Sequence, residues 1–181
     1  FTWGSSDLAV LQESYHTMQR TLSRMWQHRD SGLPYQTPYQ ALIAASLIQT
    51  EVRLVNEMPL VSSVIMNRLK KKMRLQIDTT VLYAMGKPYG TRLLHRNLKY
   101  NSPYNTYRHV GLPPTPIAIP GRSALLAAMH PAKTAFLYYV ARGDGSHVFS
   151  KNYQGHLKGV KRYREYQQQY QRQRQLQPAV P

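Results

Sequence analysis

The run ALIAASLIQTE, residues 41–51, is apolar or small until it reaches an amide, Gln49, and a carboxylate, Glu51. Carboxylates are scarce, so acid–base chemistry has few candidates: the 8 acidic residues are Asp7, Glu13, Asp30, Glu51, Glu57, Asp78, Asp144 and Glu165. In the middle of the chain Gln49 and Glu51 share a polar set with Asn67, Gln76, Asp78 and the string Tyr104, Asn105, Thr106, Tyr107. Amides, hydroxyls and tyrosine faces with few charges suit a saccharide, which offers hydroxyls to bond and C–H faces to stack. Taken singly, each is equally well an exposed polar side chain or a helix cap. His147, between a GDGS turn and an apolar strand, is the histidine best placed to join them; its structural alternative is a sheet-edge histidine bonded to a backbone carbonyl.

Other chemistries lack their residues. The 7 histidines form no HExxH-type pair, so neither a metal site nor a cofactor is expected. There is no cysteine for a thiolate or disulfide, no GxSxG elbow for a serine hydrolase and no phosphate-cradling glycine loop. With 24 Lys and Arg the formal net charge is +16, which points to an anionic partner: nucleic acid, anionic lipid or an acidic polymer. The tail KGVKRYREYQQQYQRQRQ mixes Arg with Tyr as nucleic-acid-binding segments do, yet its tyrosines keep helical spacing. A solvated helix with one face on the domain is the better reading, and no nucleic-acid partner is expected.

The elements that would position these residues are mostly helices. Ser5, Ser6 and Asp7 start a first helix to about Arg29, with Leu8, Leu11, Tyr15, Met18, Leu22 and Met25 as its stripe. Thr37 and Pro38 open a second, through about Thr50, so apolar all round that it must be central. Pro59 opens a third, closed by the cations of RLKKKMR. LQIDTTVLYAMG reads as an extended piece and then a helix capped by Asp78 or Thr79 and stopped by Gly86. Residues 87–121 hold six prolines and read as a long loop, a length that usually serves function. SALLAAMH is a short helix, AFLYYVAR and HVFS form a hairpin around GDGS, and a last helix from Asn152 presents Leu157, Val160, Tyr163, Tyr166 and Tyr170. The fold class is α+β, mainly helical with a small antiparallel hairpin.

At 181 residues the chain fits one domain, with no apolar run long enough for a membrane span. It begins at Phe1 in FTWGSSD and reads as an excised fragment or mature product, ordered over about residues 2–166, with 167–181 a disordered tail.

AASLIQTE, PLVSSVIMNRLKKKMRLQIDTTVLYAMG, SPYNTYRHVGLPPTPIAIPG and HPAKTAFLYYVARGDGSHVFS, in that order and followed by a helix after NYQGHLKGVKRY, resemble the catalytic domain of the MltG (YceG-like) endolytic murein transglycosylases. The resemblance covers about residues 2–166. It implies a lyase that cuts the β-1,4 bond between N-acetylmuramic acid and N-acetylglucosamine within peptidoglycan strands, leaving a 1,6-anhydro end. A single Glu suffices for that chemistry, because the sugar's own C6 hydroxyl replaces water: the Glu gives its proton to the leaving oxygen and then takes the hydroxyl's. Ordinary glycosidases need two carboxylates. The family carries its catalytic Glu in a motif similar to ASIIEKET. Laid on ASLIQTEV, that motif puts Gln49 at the catalytic position and leaves Glu51 as the retained acid. Gln cannot donate and recover a proton near neutral pH, so the chain is expected to be inactive, Gln49 being a replacement made to trap substrate or a natural loss. Should the Gln form prove active, Glu51 is the next candidate.

The resemblance also implies a cleft lined by Asn67, Gln76, Asp78, Asn105, Tyr107 and His147, which Glu51, Tyr104 and Thr106 of the same polar set would join as substrate-binding residues. Peptidoglycan strands would be the partner, with peptidoglycan synthases as protein partners. A membrane anchor and a LysM-like module would precede this segment, on the periplasmic face of the bacterial inner membrane. A non-enzymatic glycan-binding scaffold is the alternative, and restored turnover in Gln49→Glu would separate the two.

Overall fold

The computed structural model describes residue 4 and residues 6–176, of which the side chains of 174–176 are not described. Helix α1 spans Asp7–Gln27, with the Ser6 hydroxyl accepting from the backbone N–H of Ala9. Only Met18, Leu22 and Met25 of its apolar stripe reach the core; Leu8, Leu11 and Tyr15 stay exposed. Helix α2, Pro38–Glu51, starts on the Thr37 cap with proline in the first turn, where its missing N–H loses nothing. Seven of its residues, from Ala41 to Ile48, are buried, so it is the hub that the apolar run foretells.

Around α2 pack α3 (Met58–Lys70), the short α4 (Asp78–Ala84) and α5 (Arg122–Met129), while α1 lies across α2 and α5. Neither Asp78 nor Thr79 caps α4. Its N-cap is Ile77, with no side-chain bond, because Asp78 is already helical and Thr79 points its hydroxyl at α2. The long loop holds one 3-10 turn, His95–Lys99, and is pinned to the hub by Ser46, whose Oγ accepts from Ile117 N at 3.1 Å.

Strands β1 (Tyr138–Ala141) and β2 (His147–Ser150) pair antiparallel, with Tyr139 opposite Phe149 and Ala141 opposite His147. Alternation gives the hairpin two faces. Tyr139 and Phe149 pack on the main core, whereas Val140 and Val148 meet the last helix, α6, Tyr153–Leu176. The approach of α6 depends on glycine: a Cβ on Gly159 would sit 2.7 Å from Val140 Cγ1. The expected face is therefore corrected. Leu157, Tyr166 and Tyr170 are exposed, and the contact runs along Gly155, His156, Gly159 and Val160. Helix α6 also continues well past residue 166, where a disordered tail is expected; residues 177–181 of that tail lie outside the described residues. Among the described residues no helix is long and apolar enough to cross a membrane.

Candidate active site

Glu51 is the last residue of α2, and its side chain turns into a cleft of about 500 Å³ between the hairpin, α3, α4 and the start of α6. Tyr139 on β1 donates its hydroxyl to Glu51 Oε2 at 2.6 Å. Thr79 on α4 lies 2.9 Å from Glu51 Oε1. The residue keeps an edge open to the cleft while protein on its other sides withdraws it from water. That burial, with the charge of nearby Asp78 in support, pushes the Glu51 pKa above its ordinary value against the pull of the two hydroxyls.

The hydroxyls around Glu51 can also accept a hydrogen bond from its acid form. Thr79 Oγ1 also lies 3.0 Å from Thr50 Oγ1, and Thr50 in turn lies 3.0 Å from the carbonyl of Leu47. A hydroxyl has one hydrogen to give. With Glu51 protonated, every link closes: Glu51 donates to Thr79, Thr79 to Thr50, and Thr50 to the carbonyl. With Glu51 ionised, Thr79 must donate to it, and the contact between the two threonines lacks a hydrogen unless Thr50 abandons Leu47.

The rest of the cleft is ordered around this carboxyl. Asp78 accepts from the hydroxyl of Tyr107, whose own pKa burial drives far upward, so Tyr107 stays a donor. Gln76 stands in the left-handed region, φ 55°, which costs a non-glycine residue about 1–3 kcal/mol. It is held there by Gln76 N donating to Thr106 O and by Arg68 Nη1 donating to Gln76 Oε1. His147 donates its backbone N–H to Glu57 Oε1 at 3.0 Å, and its ring Nδ1 is 2.7 Å from Glu57 Oε2. The second contact occupies Nδ1 and leaves Nε2 for the cleft, with the ring edge-on to Tyr139. Among the described residues no group of three or more His, Asp or Glu is arranged to hold a metal.

The structure thus brings together Glu51, Gln76, Asp78, Tyr107 and His147 and parts the others from them. Gln49, two residues before Glu51, points to the opposite side of α2, where its Oε1 accepts from Gly121 N at 2.9 Å and holds the start of α5. Asn67 is a tie, not a cleft residue: its Nδ2 donates to Thr134 O and Phe136 O, both at 2.9 Å, and fixes the lead-in to β1. Asn105 is fully buried and staples the long loop through Leu98 O, Tyr100 O and Tyr107 N. Thr106 is buried, accepting from Ile77 N, and Tyr104 pairs its hydroxyl with Thr115. These polar side chains serve the backbone of an irregular loop, whose carbonyls and N–H groups need partners once buried.

Sequence reading misses Tyr139, Thr79, Glu57 and Arg68. Arg68 carried a usable clue, since it falls on the apolar stripe of α3 beside Val64 and Ile65, where a cation is out of place unless it has a task. A larger groove, about 870 Å³, runs between α1 and α5 past Met18, Ile119 and Leu126. It lacks the desolvated carboxyl with donors that the smaller cleft has.

Comparison with known proteins agrees with this architecture. A family model described as the YceG-like family matches residues 1–162. A Bacillus subtilis (strain 168) protein named endolytic murein transglycosylase is 46% identical over 125 residues, covering 69% of this chain and 34% of that protein. One of the same name from Streptococcus pneumoniae serotype 2 is 32% identical over 129 residues, 68% of this chain and 23% of that one. A crystal structure of a yceG-like protein from Listeria monocytogenes superposes with TM-score 0.70 and 32% identity, over 87% of this chain and 52% of the other. The chain spans about a third or less of the length of these curated relatives.

Proposed function

The chain belongs to the YceG-like family, and on that premise we propose that it is the catalytic segment of an endolytic murein transglycosylase, with Glu51 as its proton donor and acceptor. The observation that carries this reading is the Glu51 carboxyl itself, desolvated, its pKa raised by that burial, and open to a polar cleft. The relatives' name supports the substrate and the lyase chemistry.

In the first half-reaction Glu51 gives its proton to the glycosidic oxygen as the C1–O bond breaks, and Tyr139 and Thr79 donate to the carboxylate so formed. In the second, that carboxylate takes the proton of the same sugar's C6 hydroxyl, whose oxygen bonds to C1 and closes the 1,6-anhydro ring. Proton and bond counts balance without water, and Glu51 ends as it began. Asp78 is occupied by Tyr107 and stands by as the second negative charge that stabilises positive charge at C1.

On this reading Gln49 is a structural residue that anchors α5, and its identity does not make the chain inactive. Work at the periplasmic face of the bacterial inner membrane, beside peptidoglycan synthases, belongs to the same proposal, because the substrate is laid down there. The test is the product. Purified glycan strands incubated with the chain should yield fragments ending in 1,6-anhydro-N-acetylmuramic acid by mass spectrometry. Reducing ends instead would mean that water attacks, and binding without cleavage would favour a scaffold.

A further inference from the structure

Arg68 enters the same cleft from α3 with 7% of its surface exposed. Nε donates to Leu137 O at 2.6 Å, and Nη1 to Arg74 O at 3.0 Å, Leu75 O at 2.8 Å and Gln76 Oε1 at 3.3 Å. Every one of these acceptors is neutral. Among the described residues no carboxylate lies within ion-pair distance of Arg68. A guanidinium satisfied by dipoles alone still carries an uncompensated charge, and a buried charge is costly until an opposite one joins it. Burial already pulls its pKa down from the usual arginine value. Nη2 has no hydrogen-bond partner among the described residues, so it is the nitrogen left for a ligand.

An aromatic group adjoins it. The Arg68 Cζ lies 5.0 Å from the ring centroid of Tyr138. That ring stacks on His156 at 5.2 Å and 26° and is tilted against Tyr153 at 6.0 Å. Tyr153 is 59% exposed, and all three rings line the cleft. The Nδ1 of His156 is buried without a partner among the described residues. Ring faces of this kind bind the C–H face of a sugar.

We propose that Arg68 and the rings beside it form a subsite for a sugar residue bearing a carboxylate, the carboxylate bonding Arg68 Nη2 and the sugar ring lying on Tyr138 and Tyr153. The proposal rests on the transglycosylase reading, since it names what that cleft recognises. A single guanidinium nitrogen suits a monoanion, and Glu51 and Asp78 in the same cleft disfavour a group of higher charge. In a peptidoglycan strand the carboxylate has two sources: the lactyl ether of a muramic residue stripped of its peptide, or a stem peptide.

Calorimetric titration of the Glu51→Gln chain decides the matter with three ligands. They are a peptide-free tetrasaccharide of alternating N-acetylglucosamine and N-acetylmuramic acid, the same compound with its carboxylates converted to methylamides, and the peptide-bearing form. The acid should bind roughly tenfold or more tightly than the methylamide, the ratio expected of one charge-assisted bond. Arg68→Gln should abolish that preference. Because Arg68→Gln removes several backbone ties and can fail to fold, Tyr153→Ala on the exposed edge is the second variant, and it should weaken acid and methylamide alike. With the acid tighter than the methylamide, a peptide-bearing form as tight as the acid means that a stem-peptide carboxylate takes the same place, and one as weak as the methylamide confines the subsite to the lactyl group. A peptide-bearing form tighter than an acid and methylamide of equal affinity assigns the carboxylate to the peptide. Equal affinity for all three, or unchanged affinities in Tyr153→Ala, overturns the subsite while glycan cleavage by the parent chain keeps the Glu51 reading. Failure of every ligand to bind, together with absent cleavage, overturns both.

Discussion

In the proposed reaction Glu51 must hold a proton in one half-reaction and release it in the other, and its neighbours can serve both states. Tyr139 and Thr79 can donate to the carboxylate, while the Thr79–Thr50–Leu47 chain accepts from the acid. Removing Thr50 as an acceptor forces Thr79 to donate to Glu51 and favours the ionised form. Thr50→Val should therefore move the alkaline limb of the activity profile to lower pH, by about one unit or less, one unit being ~1.4 kcal/mol. A pH series of initial rates checks this.

Burial also makes Glu51 a stability liability. Its folded pKa lies above the ordinary 4.5, so between the two values the native state binds a proton the unfolded chain has lost. Stability falls as pH rises through that window, and the penalty is complete above the folded pKa. Glu51→Gln should accordingly melt higher than the parent at neutral pH while losing turnover, and the gap should close as pH falls toward 4.5. Gln49, by contrast, contributes one hydrogen bond to Gly121, so Gln49→Ala should cost about 0.5–1.5 kcal/mol in denaturant melts and leave the chemistry in place.

At the scale of elements, the hairpin carries Tyr139 and His147 to Glu51, and α3 and α6 hold it from either side. Gly159 sets the α6 distance. Gly159→Ala should destabilise by about 1–3 kcal/mol through overpacking on Val140, offset in part by better helix propensity, and should loosen the wall formed by Tyr153 and His156. Thermal melts with near-ultraviolet circular dichroism of the tyrosines would show both effects. Helix starts were legible because caps and prolines are local, as Ser6 and Thr37 with Pro38 illustrate. The buried face of α6 was not, since a contact made by glycines leaves no hydrophobic periodicity. Only half of the expected site residues line the cleft, for a related reason. Asn67, Asn105 and Thr106 look like ligand groups in one dimension, yet their partners are distant backbone carbonyls and N–H groups that only the fold supplies.

For the whole molecule, a net charge of +16 around a cleft with few acids makes the surface a general attractor of anionic polymer. Retention of the Glu51→Gln chain on insoluble peptidoglycan should fall as salt rises from 0.01 to 0.15 M, where the Debye length shrinks from about 30 to about 8 Å. Retention on neutral chitin should change much less, and co-sedimentation measures both. The α+β plan, a buried helix hub with a hairpin laid against it, followed from hydrophobic patterning. The direction in which neighbouring residues of the hub's last turn point did not, because Gln49 and Glu51 are two positions apart and about 200° around the helix from each other. That angle sends one to α5 and the other to the cleft.

In the proposed reaction position 51, and not position 49, carries the proton. The most direct measurement is the rate of 1,6-anhydro end formation on purified glycan strands by the parent chain, Gln49→Glu and Glu51→Gln, assayed side by side. The parent and Gln49→Glu should both be active within a few-fold of each other, and Glu51→Gln should be inert. An inert parent that gains activity only with Gln49→Glu, or undiminished activity in Glu51→Gln, would contradict that assignment.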